Sequence, residues 1–159
     1  MKESFENAVR FALHWEGWKT NDPGDVGGLT VWGVCARDWP ALVTRLAAMP
    51  REEAREAAKE FYRVNYWNAC GCDALPVDLD IVIFDTAVNQ GVGWGKRIAE
   101  AAANWHDAII LCLDRYDDLR PFDRYGRGWC KRIVALRDYI TSGYNVLEWD
   151  GTGLLIAPK

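Results

Sequence analysis

The sequence predicts an all-α, mainly helical chain with at most a small β-hairpin near residues 25–33. Three observations carry this. Apolar residues recur at helical spacing through most of the chain, and one run, 78–90, is apolar on almost every side. Turn formers (Gly, Pro, Asn and Asp) crowd into residues 17–28, where a loop must interrupt the helices. At 159 residues the chain can bury most of its apolar surface as one compact unit. Residues 71–76 read as a hinge, so the expected lobes are 1–72 and 73–159, sharing a core.

Taken in order, Phe5, Ala8, Val9, Ala12 and Leu13 give residues 4–15 one apolar helical face, with Ser4 as a cap and Gly17 as a stop. That places Glu16 in the last turn. The negative end of the helix dipole and the indoles of Trp15 and Trp18 there favour a carboxyl that keeps its proton, unless Lys19 pairs with it. Residues 19–33 form a loop with a short hairpin, since 29–33 is β-prone. A helical turn over 34–39 is stopped by Pro40, and another apolar turn follows at 41–48. Pro50 opens a helix to about Val64 with Ala54, Ala57, Ala58, Phe61 and Tyr62 as its buried stripe. Tyr66 and Trp67 then either line a cleft or pack on the helix of 78–90. In that helix Asp85 and Asn89 stand i, i+4, and each needs a partner if buried. They either tie the helix to the loop of 20–30 or hold polar groups of a ligand. Two more helices are expected at 94–105 and 107–116. A last one runs from about Asp123 past Trp129 and Ile133 to Gly143, where Gly126 and Gly128 each cost ~1 kcal/mol relative to Ala. The tail 144–159 has no period and reads as a strap.

The net charge of −4 argues against a nucleic-acid partner. Residues 115–137 nevertheless hold seven Lys or Arg against three Asp, which suits either a solvated helix face or a surface for acidic partners. Nine Trp fit a carbohydrate cleft as well as a core. Five Cys and two His suggest reduced thiols and no metal or cofactor. Without a signal-like start or a run of about 18 apolar residues, the expectation is a monomer made in the cytoplasm, with no stable membrane insertion.

Glu16, Asp25 and Thr30 are the chemical core of the reading. A carboxylic acid at a helix end, followed by a carboxylate and a hydroxyl on a glycine-rich turn, suits glycoside hydrolysis: one group protonates a leaving oxygen and another handles water. The structural alternatives are a solvated Glu, an Asx-turn and a strand-start Thr. The stretch Glu16-Gly-Trp-Lys-Thr-Asn-Asp-Pro-Gly-Asp-Val-Gly-Gly-Leu-Thr30, running on to Gly33, resembles the first motif of glycoside hydrolase family 108. Phe84-Asp-Thr-Ala-Val-Asn-Gln-Gly91 is similar to the family's second motif, and Gly126-Arg-Gly-Trp129 with Arg132 to a third. Trp18, Lys19 and Val26 depart from the family's Gly, Tyr and Pro.

That family comprises N-acetylmuramidases of phage endolysins and bacterial secretion systems. The resemblance implies a lysozyme-like fold and hydrolysis of the β-1,4 bond between N-acetylmuramic acid and N-acetylglucosamine in peptidoglycan. Glu16 would be the general acid, with Asp25 and Thr30 guiding water. Trp18, Asn21, Trp32, Tyr62, Trp67, Asp85 and Asn89 would contact the glycan. A holin or a dedicated secretion route would bring the enzyme to the wall. Trp18 and Lys19 beside Glu16 leave open a catalytically inactive peptidoglycan-binding module.

Overall fold

The structure is a computed structural model that describes residues 3–21, 28–119, 122–145, 148–149 and 155–156. Among these residues seven α-helices dominate: α1 (Glu3–Glu16), α2 (Pro40–Ala48), α3 (Arg51–Tyr62), α4 (Leu79–Gln90), α5 (Val92–Ala101), α6 (Trp105–Asp117) and α7 (Phe122–Thr141). A small antiparallel sheet, in the order β1-β2-β3, joins Lys19–Thr20, Thr30–Val31 and Val34–Cys35. A second pair, β4 (Glu148–Trp149) and β5 (Leu155–Ile156), lies in the tail, most of which falls outside the described residues. The fold is the mainly helical, lysozyme-like one that the periodicity and the family resemblance implied.

α4 is the hub. Every residue from Leu79 to Ala87 is buried, as a helix that is apolar all round requires. α1, α5 and α6 pack against it. Phe84 at its centre meets the rings of Phe5, Tyr62 and Trp67 at 6.1, 6.2 and 5.8 Å. Burying each such side chain contributes ~1.5–3 kcal/mol. Arg10 of α1 donates to the Tyr139 hydroxyl and to the Tyr144 carbonyl of the α7 end. The Tyr144 hydroxyl in turn donates to Asp78, just before α4. The three helices that surround the site are thus tied together.

Two local expectations are corrected. The helical turn expected over 34–39 is confined to 35–39, where the Asp38 and Trp39 N–H groups donate to the Cys35 carbonyl at 3.3 and 2.9 Å, because Val34 and Cys35 form β3: Trp32 (φ 49°) and Gly33 (φ 76°) make a two-residue hairpin between β2 and β3, both with positive φ as a type I′ turn demands. Pro40 opens α2 instead of stopping a helix, because at a first helical position its missing N–H has no bond to lose. Beyond α3 the backbone widens into a π-helical turn, Arg63–Trp67, with the Asn68 N–H donating to the Arg63 carbonyl. Gly126 sits where the Phe122 ring of its own helix fills the space a Cβ would need.

Candidate active site

Glu16 is the last residue of α1. Gly17 follows it at φ 73° and donates its N–H to the Leu13 carbonyl at 3.2 Å, ending the helix. The Glu16 side chain keeps 26% of its surface exposed. Its Oε1 accepts a hydrogen bond from Arg132 Nη1 at 2.9 Å. The same guanidinium grips Asp85 of α4, with Nη2 to Oδ1 at 2.8 Å and Nε to Oδ1 and Oδ2 at 3.1 and 3.2 Å. Arg132 is 7% exposed and Asp85 1%. Burial works against the guanidinium's charge, but the Asp85 carboxylate and then Glu16 more than offset it, so the Arg132 pKa is raised. One cation therefore joins α1, α4 and α7 at the catalytic candidate.

The hairpin closes on Glu16 from the other side. A Cβ placed on Gly33 would come 2.8 Å from Glu16 Cγ and would strike the Tyr62 hydroxyl. That hydroxyl donates to the Trp32 carbonyl at 3.0 Å. The Trp32 N–H donates to the Trp18 carbonyl at 2.9 Å, and the Arg51 guanidinium lies 5.6 Å from the Trp32 ring. A Trp at positive φ costs about 1–3 kcal/mol, so its neighbours must hold it there. Burial first, then the charge of Glu16, raises the Tyr62 phenol well above its ordinary range. The half-buried Tyr66 is raised by the same two causes in the same order.

The other candidates fall in different places. Asp25 lies outside the described residues. Thr30 is half-buried on β2, opposite Thr20 and Cys35, and Asn21 is exposed beyond β1. Trp18 and Trp32, 5.4 Å apart, line a cavity of about 330 Å³ together with Trp15, and Glu16 is not part of its lining. The indoles expected to enclose the carboxyl thus line a different space. Trp67 has no exposed surface: it packs on Phe5 and Phe84 and donates to Asp73. A substrate cannot touch it, and of the two adjacent rings Tyr66 is the one within reach of the Glu16 charge. Tyr62, 2% exposed, supports the hairpin. Asp85 binds Arg132 in place of the loop of 20–30, and Asn89 donates to the Tyr116 hydroxyl at 2.7 Å. Lys19 makes no ion pair among the described residues, so the pairing with Glu16 falls to Arg132.

Sequence reasoning quoted Arg132 and Gly33 within motifs but gave neither a role. A signal for Arg132 was present: it stands i, i+4, i+7 with Leu136 and Tyr139 on the buried stripe of α7, and a buried cation needs a buried anion such as Asp85. Gly33 carried only the hint of Gly after a β-prone run. Among the described residues no cluster of His, Cys, Asp and Glu could hold a metal ion.

A carboxyl that is partly exposed, with one oxygen fixed by a guanidinium and the other without a donor among the described residues, can pass a proton to an oxygen brought against it. The solved structure of SagA from Brucella abortus resembles this chain with a TM-score of 0.67, covering 91% of this chain and 98% of that one at 22% identity, a likeness of fold. No curated protein matches the sequence. The family model for glycosyl hydrolase 108 matches residues 9–91, just over half the chain, including Glu16, Gly33, Tyr62 and Asp85; this chain belongs to that family of glycosidases.

Proposed function

We propose that the chain hydrolyses the β-1,4 bond between N-acetylmuramic acid and N-acetylglucosamine in peptidoglycan, with Glu16 as general acid. The observation that carries the reading is the Glu16 carboxyl itself, fixed through Oε1 by Arg132 and backed by Gly33. Glu16 Oε2 delivers a proton to the glycosidic oxygen as the C–O bond breaks and positive charge grows on the sugar ring. Loss of that proton leaves a carboxylate 2.9 Å from Arg132, so the charge that appears on Glu16 forms next to a preorganised cation. Water then attacks the ring carbon and gives up its proton, to Asp25 in an inverting course or to the Glu16 carboxylate in a retaining one. In an inverting course Asp25 and Thr30 guide that water, and a carboxyl separation of ~6.5–9.5 Å would mark it, against ~5 Å for retention. The protein acts as a monomer on the wall after release from the cytoplasm, through a holin or a secretion route.

Glu16→Gln tests this. Turbidity loss of permeabilised bacteria should slow about 100-fold or more while thermal unfolding stays near that of the wild type. Mass spectrometry of the released fragments should show muramic acid at the reducing end. Retention of most lytic activity by the variant would overturn the reading. The Arg132 pair also favours a second reading, in which Glu16 stays bound to the guanidinium and the chain only binds walls. Wild-type protein that sediments with walls but never clears them would establish that alternative.

A further inference from the structure

A second recess, about 120 Å³, opens among α4, α5, α6 and α7, and Asn89, Trp94, Arg115, Tyr116 and Trp129 line it. Its position follows from helix register. Asn89 is one turn beyond Asp85 on α4, and Trp129 is one turn before Arg132 on α7. Asp85 and Arg132 bond to each other, and Tyr116 bridges Asn89 and Trp129 in the same way: it takes the Asn89 amide at 2.7 Å and stacks on the indole at 5.2 Å and 28°. The recess therefore lies one helical turn, ~5 Å, from the pair that holds Glu16.

Its chemistry is that of a sugar with an anionic substituent. Trp129 is half-buried, and the exposed Tyr125 lies tilted beside it at 6.1 Å and 30°, giving an aromatic platform for the apolar face of a pyranose. The Asn89 amide nitrogen is committed to Tyr116, so its carbonyl oxygen is the atom left to accept an acetamido N–H. Arg115 lies over the Trp94 ring at 4.3 Å, with Arg97 on the same ring at 4.9 Å. Arg115 has no carboxylate partner among the described residues, although Asp114, Asp117 and Asp118 lie on and beside its own helix. Among the described residues no Asp or Glu lines the recess. A guanidinium centred 4.3 Å from an indole, without a carboxylate partner among the described residues and beside an aromatic platform, is arranged for a ligand carboxylate.

We propose that this recess is a subsite for a sugar residue bearing a carboxylate, the acidic substituent of muramic acid, with Trp129 as platform and Arg115 as anion partner; the proposal rests on the peptidoglycan reading above. The carboxylate belongs either to the lactyl group or to an attached peptide, and the two sources can be separated. Three tetrasaccharides are titrated into the full chain carrying Glu16→Gln: a peptide-free alternating N-acetylglucosamine–N-acetylmuramic acid oligomer, the same oligomer with Ala-isoglutamate stems, and neutral chitotetraose. One or both acidic ligands should bind about tenfold tighter than chitotetraose, and the tighter one names the source. Arg115→Gln should abolish that preference and leave chitotetraose binding in place. Trp129→Ala should weaken all three, and Trp129→Phe should restore most of the loss, which a folding defect would not do.

A preference that survives Arg115→Gln, or binding unaffected by Trp129→Ala, overturns the subsite. In the otherwise native enzyme the two substitutions should raise KM on walls with little change in kcat, and an unchanged KM overturns it as well. Wild-type protein that shows these binding differences but never lyses walls would sink the muramidase reading alone.

Discussion

The hairpin wall and the helical wall hold the same carboxyl by different means. The hairpin of 30–35 holds Glu16 by contact: Gly33 lies against its Cγ, and Tyr62 ties down the carbonyl beside that glycine. The helical wall holds it by charge, through a guanidinium shared with Asp85. Contact fixes where the carboxyl stands, and charge fixes which oxygen is engaged. The two supports should therefore fail differently.

The largest effect should come from the charged wall. Asp85→Ala leaves Arg132 buried with only Glu16 to pair, a loss of about 3–5 kcal/mol in urea unfolding, and it removes lytic activity as well. A loss under ~1 kcal/mol would mean that the guanidinium finds water or another partner. Next comes the contact wall. Gly33→Ala adds a methyl group against Glu16 and Tyr62 at φ 76°, which should cost about 1–3 kcal/mol. It should also lower kcat far more than KM, because the carboxyl is displaced while the glycan still binds. An unchanged kcat would show that the hairpin does not position Glu16.

Tyr62→Phe is milder. It deletes one buried hydrogen bond to the Trp32 carbonyl and should cost about 0.5–1.5 kcal/mol by chemical denaturation. The smallest effect is one of pH. The Tyr62 phenol is raised above 10.0 in the folded chain, by burial and then by the Glu16 charge. Unfolded phenols lose their protons near pH 10 while the folded one keeps its own, so its contribution is intact below about pH 10 and is lost as the pH climbs further. The melting temperature should fall more steeply in that range for wild type than for Tyr62→Phe; parallel curves would assign the alkaline loss to other groups.

Much of the fold was legible because it rests on local pattern. The nearly continuous apolar run of 78–90 announced α4 as a core helix, and the crowd of turn formers marked the break after α1. The site was legible in part. Glu16 could be placed at a helix end from its neighbours, but its partner Arg132 is 116 residues away, and only the packing of α7 on α1 and α4 brings them together. Trp32 and Gly33 were hard to read for another reason. A type I′ turn usually announces itself by Asn-Gly or Asp-Gly, and here an indole stands in the first position because tertiary contacts hold it there. Of the two readings offered for Tyr66 and Trp67, packing on α4 is the one Trp67 follows, and it turns inward because the helical period shifts phase just after α3.

That phase shift has a consequence of its own. In an ordinary helix residues 62 and 67 would point about 140° apart, and only one of their rings could meet Phe84. The wider spacing of Arg63–Trp67 turns both inward. Removing any single residue between 63 and 66 would rewind the coil and swing either the phenol or the indole out to water. The number of residues in this short stretch, more than the identity of any of them, is what keeps the hairpin's support seated.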